Sequence, residues 1–384
     1  MGPVTSFSSS IFLLFLFLAA CSALYHLAVA LAALRFPSRQ QPSDYTPPLS
    51  VLKPLRGIEQ NFYANLATFF RQDYPNFEIV FGLNDDADAA RWTIAQLQRD
   101  FPNVPVKLVT VTESSGTNPK MGKLERMIAE ASHEIIVLSD ADIRVAPDYL
   151  HRVVPPLADD SIGLVTCLYR GVPARSFLSI LEALSMSGDF AGQVLLARMI
   201  QGIRFGLGAT MVTRKQHVAE IGGIAQWADY LADDYILGRE IAAAGRRIHL
   251  SSAVVETVLP RRTALQTFHQ QLRWARTIRA CSPSGYPGLI FVFGVPIALA
   301  ALAFEPGSAA ALATLAAVLT ARFLSAFAAG LGVCRDPVLA RYFWLLPLRD
   351  CFALGIWVMS FFGRGVIWRD ARFRLLPGGK IKPA

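Results

Sequence analysis

The sequence predicts an α/β fold: a mostly parallel sheet with helices on both faces, joined to transmembrane α-helices. Three observations predict it. Short β-branched runs, such as Glu134-Ile135-Ile136-Val137-Leu138, alternate with amphipathic stretches between residues 49 and 278, as strands do when helices carry the chain between them. A run without charge occupies residues 11–34, and further apolar runs follow residue 283. Of the 384 residues, 53% are hydrophobic and the mean hydropathy is positive, more apolar than a soluble domain of this length.

The chain divides accordingly into residues 1–36, 37–283 and 284–384. From Ile11 to Leu34 there is enough apolar length for one spanning helix, at about 1.5 Å per residue. No Lys or Arg precedes it, so the positive n-region of a secretory signal peptide is missing and a retained anchor is the better reading. Arg35, Arg39, Lys53 and Arg56 all follow the anchor, which places residues 37–283 in the cytosol. In the C-terminal membrane region, 288–304 and 309–333 read as spans separated by Glu305-Pro306-Gly307-Ser308. A third apolar region, 342–362, is broken by Pro347, Arg349 and Asp350, and only 351–362 is uninterrupted, a length typical of re-entrant or interfacial segments. If it crossed, the basic tail with Arg364, Arg369, Arg372, Arg374, Lys380 and Lys382 would lie outside. The third region is therefore expected not to cross fully, and the tail to be cytosolic. Arg349 and Asp350 are expected to pair with each other or to touch a lipid headgroup.

The net charge of +8 comes without a nucleic-acid motif, and the basic residues crowd the apolar segments, so anionic lipid of the bilayer is the expected partner rather than nucleic acid. Five scattered cysteines, with no Cys-x-x-Cys pair, indicate neither a zinc site nor a disulfide framework.

Within the middle segment, residues 37–48 read as a Pro/Ser/Gln-rich linker. Strands are expected at 49–54, 77–83, 106–111, 134–138, 162–172 and 247–258, with a short one through Val212 to Arg214. Helices are expected at 58–72, 89–101, 121–131 and 264–278, and another opens at Asp233-Asp234-Tyr235 and stops at Gly245. Residues 176–203 show a broad apolar face through Phe177, Leu181 and Leu184, but Glu182, Asp189 and Arg198 are too many charges for a clean span; an interfacial helix beside the site and a plain core helix are the two readings.

Chemistry concentrates at the ends of these elements. Leu138-Ser139-Asp140-Ala141-Asp142 closes a buried strand with two carboxylates, where an open α/β sheet binds ligands, and the alternation puts Asp140 and Asp142 on one side, able to face one hard cation. As an isolated triplet it is equally a solvated turn. Asp85, Asp234 and the group Gln270, Arg273 and Trp274 fall at other element ends on the same edge. The six histidines form no spaced cluster.

Taken together, Leu52-Lys53-Pro54-Leu55-Arg56-Gly57, Asn84-Asp85-Asp86, Asn118-Pro119-Lys120, Asp140-Ala141-Asp142, Ala232-Asp233-Asp234-Tyr235 and Gln270-Gln271-Leu272-Arg273-Trp274 resemble, in order and spacing, the inverting family 2-type glycosyltransferases of GT-A fold, and within them the ceramide glucosyltransferase branch. The resemblance covers about residues 49–280 and implies a Rossmann-like GT-A domain and a UDP-sugar donor. It implies that Asp85 accepts the N3 hydrogen of uracil; that Asp140 and Asp142 hold Mg²⁺ or Mn²⁺ against the diphosphate; that Lys53, Lys120 and Arg273 contact the donor; that Asp234 is the general base, with Asp233 its rival; and that Trp274, Gln270 and Asp233 border the acceptor. No second carboxylate stands out as a nucleophile, so the implied reaction inverts. The anchor and spans hold such a site at the bilayer surface, where a membrane lipid is the acceptor: ceramide, or a hopanoid polyol such as bacteriohopanetetrol. Polysaccharide synthases carry the same motifs but need more spans to build a channel. The short loops suggest a bacterial cell membrane. The different class of function is a non-catalytic scaffold that binds nucleotide or lipid, against which the intact aspartates argue.

Overall fold

The computed structural model describes residues 3–37, 43–85, 87–112, 116–368 and 371–384. Two compact units emerge. One gathers Pro37–Ala174, Gly202–Pro260 and Gly379–Ala384; the other gathers Met1–Phe36, Arg175–Gln201 and Arg261–Gly378. Elements are numbered in chain order through both.

The first unit is built on β1 (Leu49–Pro54), β2 (Phe77–Leu83), β3 (Val106–Thr110), β4 (Ile135–Leu138), β5 (Ile143–Arg144), β6 (Ile162–Pro173), β7 (Met211–Arg214) and β8 (Arg247–Leu259). They form one sheet in the order β3-β2-β1-β4-β7-β6-β8-β5. The helices are α2 (Phe62–Phe70), α3 (Ala90–Asp100), α4 (Pro119–Glu130), α5 (Tyr149–Val153), α8 (Lys215–Glu220) and α9 (Asp233–Ala243). Leu49, Val51, Ile79, Phe81, Ile135 and Val137 alternate along their strands and pack with Leu66, Phe69 and Phe70 of α2 in one core. Burying each such side chain contributes about 1.5–3 kcal/mol, which is why these runs fold as strands. The expectation of a mostly parallel sheet holds for β3-β2-β1-β4 and for β6 with β8. It fails at β7, antiparallel to both β4 and β6, and at β5 against β8. Alternation of side chains is the same in either strand direction, so the sequence carries no mark of the reversal.

The second unit contains α1 (Pro3–Leu34), a helical run from α6 (Phe177–Ser185) through one π turn (Met186–Phe190) into α7 (Ala191–Gln201), then α10 (Ala264–Cys281), α11 (Gly294–Phe304), α12 (Ala309–Ala326), α13 (Pro337–Tyr342), α14 (Leu346–Ser360) and a hairpin of β9 (Gly365–Trp368) and β10 (Ala371–Leu375). Among the described residues, three helices are long and apolar enough to cross a membrane: Ser8–Leu34, Ala309–Val333 and Pro337–Ser360. The straight span expected at 288–304 is instead a 3-10 turn, Tyr286–Val292, bent by 67° against α11. The break is held by α1, whose Ser22 hydroxyl donates to Phe291 O at 2.6 Å and whose His26 Nε2 lies 3.3 Å from Val292 O, so side chains satisfy the freed carbonyls. A Cβ at Gly294 would sit 2.1 Å from Ser22 Oγ; only glycine lets the two come this close. The region expected to be too short belongs to the 24-residue helix Pro337–Ser360.

Arg349 and Asp350 do not pair with each other. Adjacent residues on a helix point apart, and each finds its own partner. Asp350 receives Arg322 of α12 bidentately, Nε to Oδ2 and Nη2 to Oδ1, both at 2.9 Å, while Arg322 also donates to Gly188 O at 3.0 Å and to Asp189. Arg349 Nη2 lies 3.7 Å from Asp189 Oδ2.

Candidate active site

The carboxyl ends of β1, β2, β3 and β4 share one edge of the sheet, the edge where open α/β sheets bind ligands. The turn after β4 is fixed from beneath. Ser139 N donates to Leu52 O at 3.2 Å, and the Lys53 ammonium, 0% exposed, donates to Ser139 Oγ at 3.1 Å and Asp140 O at 2.7 Å while lying 3.5 Å from the centroid of the Phe69 ring. Lys53 therefore shows no surface to a nucleotide; the expected donor contact gives way to a positioning role. Burial pushes its ammonium down to about 7, against the pull of Asp140, Asp142 and Glu59.

The acidic pair is unequal. Burial, together with the charges of Asp140 and Glu59, raises the Asp142 carboxyl to about 7, with Lys53 opposing. Asp140 is 40% exposed and pairs with Lys120 Nζ at 2.7 Å. Lys120 opens α4, where Asn118 caps the helix by accepting from Lys120 N at 3.0 Å and Pro119 takes the first position. The same ammonium lies 2.8 Å from Asp233 Oδ2. Burial alone would depress it; Asp140 and Asp233 outweigh burial and hold it above the usual lysine range.

Asp233 and Asp234 occupy the first turn of α9, where the helix dipole favours acids. Asp234 Oδ2 accepts from Gly208 N at 2.7 Å and Oδ1 from Tyr235 N at 2.8 Å. Glycines permit this approach. A Cβ at Gly208 would stand 2.9 Å from Asp234 Oδ2, and one at Gly238 would stand 2.0 Å from Gly206 N. Burial and then the neighbouring Asp233 raise the Asp234 carboxyl to about 6, with Lys120 and the Tyr235 N–H opposing. Tyr169, buried beside these acids, is held above the usual phenol range by burial and by Asp234, Asp142 and Asp140.

Asp85 is exposed at the end of β2, where its Oδ1 accepts from Ala87 N at 2.8 Å. It lines a cleft of about 250 Å³ with Asn84, Val111, Thr112, Pro119 and Lys123. Asp86 lies outside the described residues, as do Arg39 and Arg369 of the basic flanks. Gln270, Arg273 and Trp274 belong to the other unit, half-buried on α10, a helix opened by a capping box between Thr263 and Gln266. There Arg262 Nη1 binds both oxygens of Glu182 at 2.8 and 2.9 Å, and Arg273 is near enough for its charge to act on that carboxylate.

Lys53, Lys120, Asp140, Asp142, Asp233 and Asp234 thus come together in one unit, from segments up to 181 residues apart in the chain (53 to 234). Glu59, Gly208 and Tyr169 were not anticipated. Gly206-Leu207-Gly208 reads as an ordinary turn, and neither a loop glutamate nor a strand tyrosine has a spacing signature.

With this geometry in view, the chain can be set beside known proteins. Residues 13–381 match the profile of Glycosyl transferase family 21. The chain belongs to that family. This family 21 glycosyltransferase is 23% identical over 364 residues to ceramide glucosyltransferase 1 of Caenorhabditis elegans, covering 91% of this chain and 76% of the relative. It is 28% identical over 234 residues to ceramide glucosyltransferase 3 of the same organism, covering 60% of this chain and 51% of the relative, about half its length. Among solved structures, a mannosyltransferase from Pyrobaculum calidifontis superposes with a TM-score of 0.54 at 22% identity, over 92% of this chain and 99% of that one, which establishes a shared fold. The glycosyltransferase fold and the ceramide glucosyltransferase resemblance read from the motifs are borne out.

Among the described residues, no group of three or more His, Cys, Asp or Glu is placed to hold a metal. The pair Asp140 and Asp142 fits a hard divalent ion. Asp142 carries negative charge that its surroundings fail to stabilise, and Mg²⁺-type ions take one or two carboxylates and leave their other positions to water and phosphate.

Proposed function

We propose that this glycosyltransferase moves a sugar from a UDP-sugar to a hydroxyl of a membrane lipid, inverting the anomeric centre in one displacement. The observation that carries the reading is the convergence of Asp140, Asp142, Lys120, Asp233 and Asp234 beside a cleft bordered by Asp85. Asp85 and the cleft suit a uracil. Asp140 and Asp142 would hold Mg²⁺ or Mn²⁺, which when bound neutralises the charge growing on the departing diphosphate. Support comes from the names of the relatives, ceramide glucosyltransferases, and from the Pyrobaculum enzyme, solved with GDP-mannose and Mn²⁺.

In the transfer step, Asp234 takes the proton of the acceptor hydroxyl. The acceptor oxygen bonds to the anomeric carbon as the bond from that carbon to the diphosphate oxygen breaks, and UDP leaves with the electron pair. Backbone N–H groups of Gly208 and Tyr235 fix the carboxylate's orientation before the proton arrives. Asp233, tied to Lys120, is the less suited of the two, because its charge is already engaged by an ammonium. Gln270, Arg273 and Trp274 keep their proposed donor and acceptor contacts as family positions.

We place the sheet unit on the cytosolic face of the membrane, in a bacterial cell the inner one. The chain leaves this unit after Pro260 and rejoins it at Gly379, so the crossings between must be even in number. Within the helical unit α12 runs parallel to α1, with Phe12 beside Ala311, Ala19 beside Val318 and His26 Nδ1 2.9 Å from Ser325 Oγ, so α12 ends on the side where α1 ends, the cytosolic one. The bent pair at 286–304 and the helix Ala309–Val333 then supply the two crossings, and Pro337–Ser360 returns without crossing, its Ser360 Oγ 2.8 Å from Tyr286 Oη. The tail stays cytosolic, as its basic residues require. The run 177–201 leaves from β6 and returns to β7, neighbours in one sheet, so it lies along the membrane without spanning it.

The test is purified full-length protein with UDP-glucose or UDP-N-acetylglucosamine and either ceramide or bacteriohopanetetrol, the glycolipid being read by mass. Metal-dependent product that disappears in Asp142→Ala and Asp234→Ala supports the reading. Undiminished product in those variants, or no glycolipid from any pairing, overturns it.

A further inference from the structure

Residues 379–384 rejoin the sheet unit at one place. Leu231 N donates to Gly379 O at 3.1 Å, Ile381 N donates to Asp229 O at 2.7 Å, and Tyr230 and Lys380 form an antiparallel bridge between those bonds. The Lys380 ammonium lies 5.4 Å from the centroid of the Tyr230 ring, and the Ile381 side chain is 2% exposed. The segment so gripped, 228–231, is held from its other side by the turn at 116–118. Asn118 N donates to Ala228 O at 2.6 Å and Asn118 Nδ2 to Tyr230 O at 2.9 Å, while Thr117 N and Oγ1 donate to Asp229 Oδ1 at 2.9 and 2.7 Å. Gly116, at φ +84°, lets the turn press on Ala228, where a Cβ would come within 2.5 Å.

These three layers end beside the acids. A single residue separates Leu231 from Asp233, and a single residue separates Asn118 from Lys120, whose ammonium must meet Asp140 and Asp233 together at 2.7 and 2.8 Å. Segment 228–231 makes no regular helix or strand apart from that bridge, so its course depends on what grips it.

We propose that Gly379, Lys380 and Ile381 are positioning residues for transfer: a strap of backbone hydrogen bonds that sets the first turn of α9 and the start of α4 in register, and thereby Asp233, Asp234 and Lys120. The inference rests on the reading of Asp234 as the base. Pro119 and Lys123 of α4 line the cleft at Asp85, so the strap acts on the donor side of the site as well as on the first turn of α9, and its loss is read in kcat/KM.

Full-length protein in detergent tests this with Ile381→Pro, which deletes the N–H that donates to Asp229 O, against Ile381→Val, which keeps it. Hydrogen–deuterium exchange of residues 116–121 and 228–236 is read beside kcat/KM. The expected result for Ile381→Pro is faster exchange in both segments and a kcat/KM lower by about tenfold or more, with Ile381→Val like the parent. Unchanged exchange or an unchanged kcat/KM overturns the strap. Should Ile381→Pro not fold, Ile381→Ala keeps the N–H but empties its apolar seat and is expected to give the same losses at smaller size; parent values there overturn the strap equally. The two proposals fail separately. A wild-type kcat in Asp234→Asn removes the base while the exchange result stands, and a wild-type kcat/KM in Ile381→Pro beside an inactive Asp234→Asn removes only the strap.

Discussion

Asp234 shows how much a residue's neighbours decide. A carboxyl at its ordinary value would be too weak a base near neutral pH; buried next to Asp233 it rises to about 6, close to the range in which proton transfer is efficient. Asp234→Asn retains an oxygen for the Gly208 N–H and should bind UDP with parent affinity by calorimetry, while kcat falls by about 10²–10⁴-fold. The pH profile follows from the raised Asp234, which is ionised above its value and protonated below it, and the proposed step needs it ionised. The kcat/KM should therefore hold well above pH 6 and fall through about pH 6 as Asp234 takes its proton. An acid limb centred near pH 4 would contradict this. Asp140, Asp142 and Asp234 were legible because strand and helix ends can be read from periodicity. The burial of Lys53 was not, because alternation tells which face a residue takes and says nothing of what covers that face.

Elements carry a second kind of requirement, the close approach of backbone to backbone. The turn at 206–208 and α9 can lie as they do only because both carry glycine, and the two glycines should fail differently. In Gly208→Ala the new methyl meets a carboxylate oxygen of Asp234 at 2.9 Å, so the proposed base should move and kcat drop while the melting temperature stays near the parent's. In Gly238→Ala it meets the backbone at Gly206 N, 2.0 Å away, and the helix must shift. Denaturant unfolding should show a loss of about 1–3 kcal/mol or more. Seven strands of the sheet were found within a residue or so because a two-residue period over a buried face leaves little freedom, whereas the two-residue β5 and the hairpin β9-β10 were not found. The antiparallel course of β7 and the bend between Val292 and Gly294 were not found, since both are set by distant partners: β4 and β6 for the strand, Ser22 and His26 for the bend.

At the scale of the molecule, one cluster of buried charges in the helical unit balances. Arg322 and Arg349 face Asp189 and Asp350, and Arg322 is 0% exposed. Removing one partner strands the other. Arg322→Met should lower stability in detergent by about 3–5 kcal/mol, while Arg322→Met combined with Asp350→Leu, which leaves Asp189 to Arg349, should recover most of it. Topology gives the second expectation at this scale. With two crossings between Pro260 and Gly379, single cysteines placed at Pro337 and Lys382 should react with an impermeant reagent from the same side of the membrane, and one at Glu305, beside the N-terminal half of α1, from the opposite side only. Labelling of Lys382→Cys from the side that labels Glu305→Cys would remove the proposed arrangement.

By itself the sequence determined the α/β sheet, the order of its elements, the membrane flanks and the acids at the strand ends, because each is written in local periodicity or in short motifs. Tertiary structure alone decided that Lys53 supports the acidic turn from below, that Arg322 and not Arg349 answers Asp350, and that a strand bridge from residues 379–381 reaches the segment before Asp233. Each of these joins residues tens to hundreds of positions apart, and a pairing at such a distance leaves no local pattern: it is fixed by which surfaces must be buried together and which polar groups must find partners once they are.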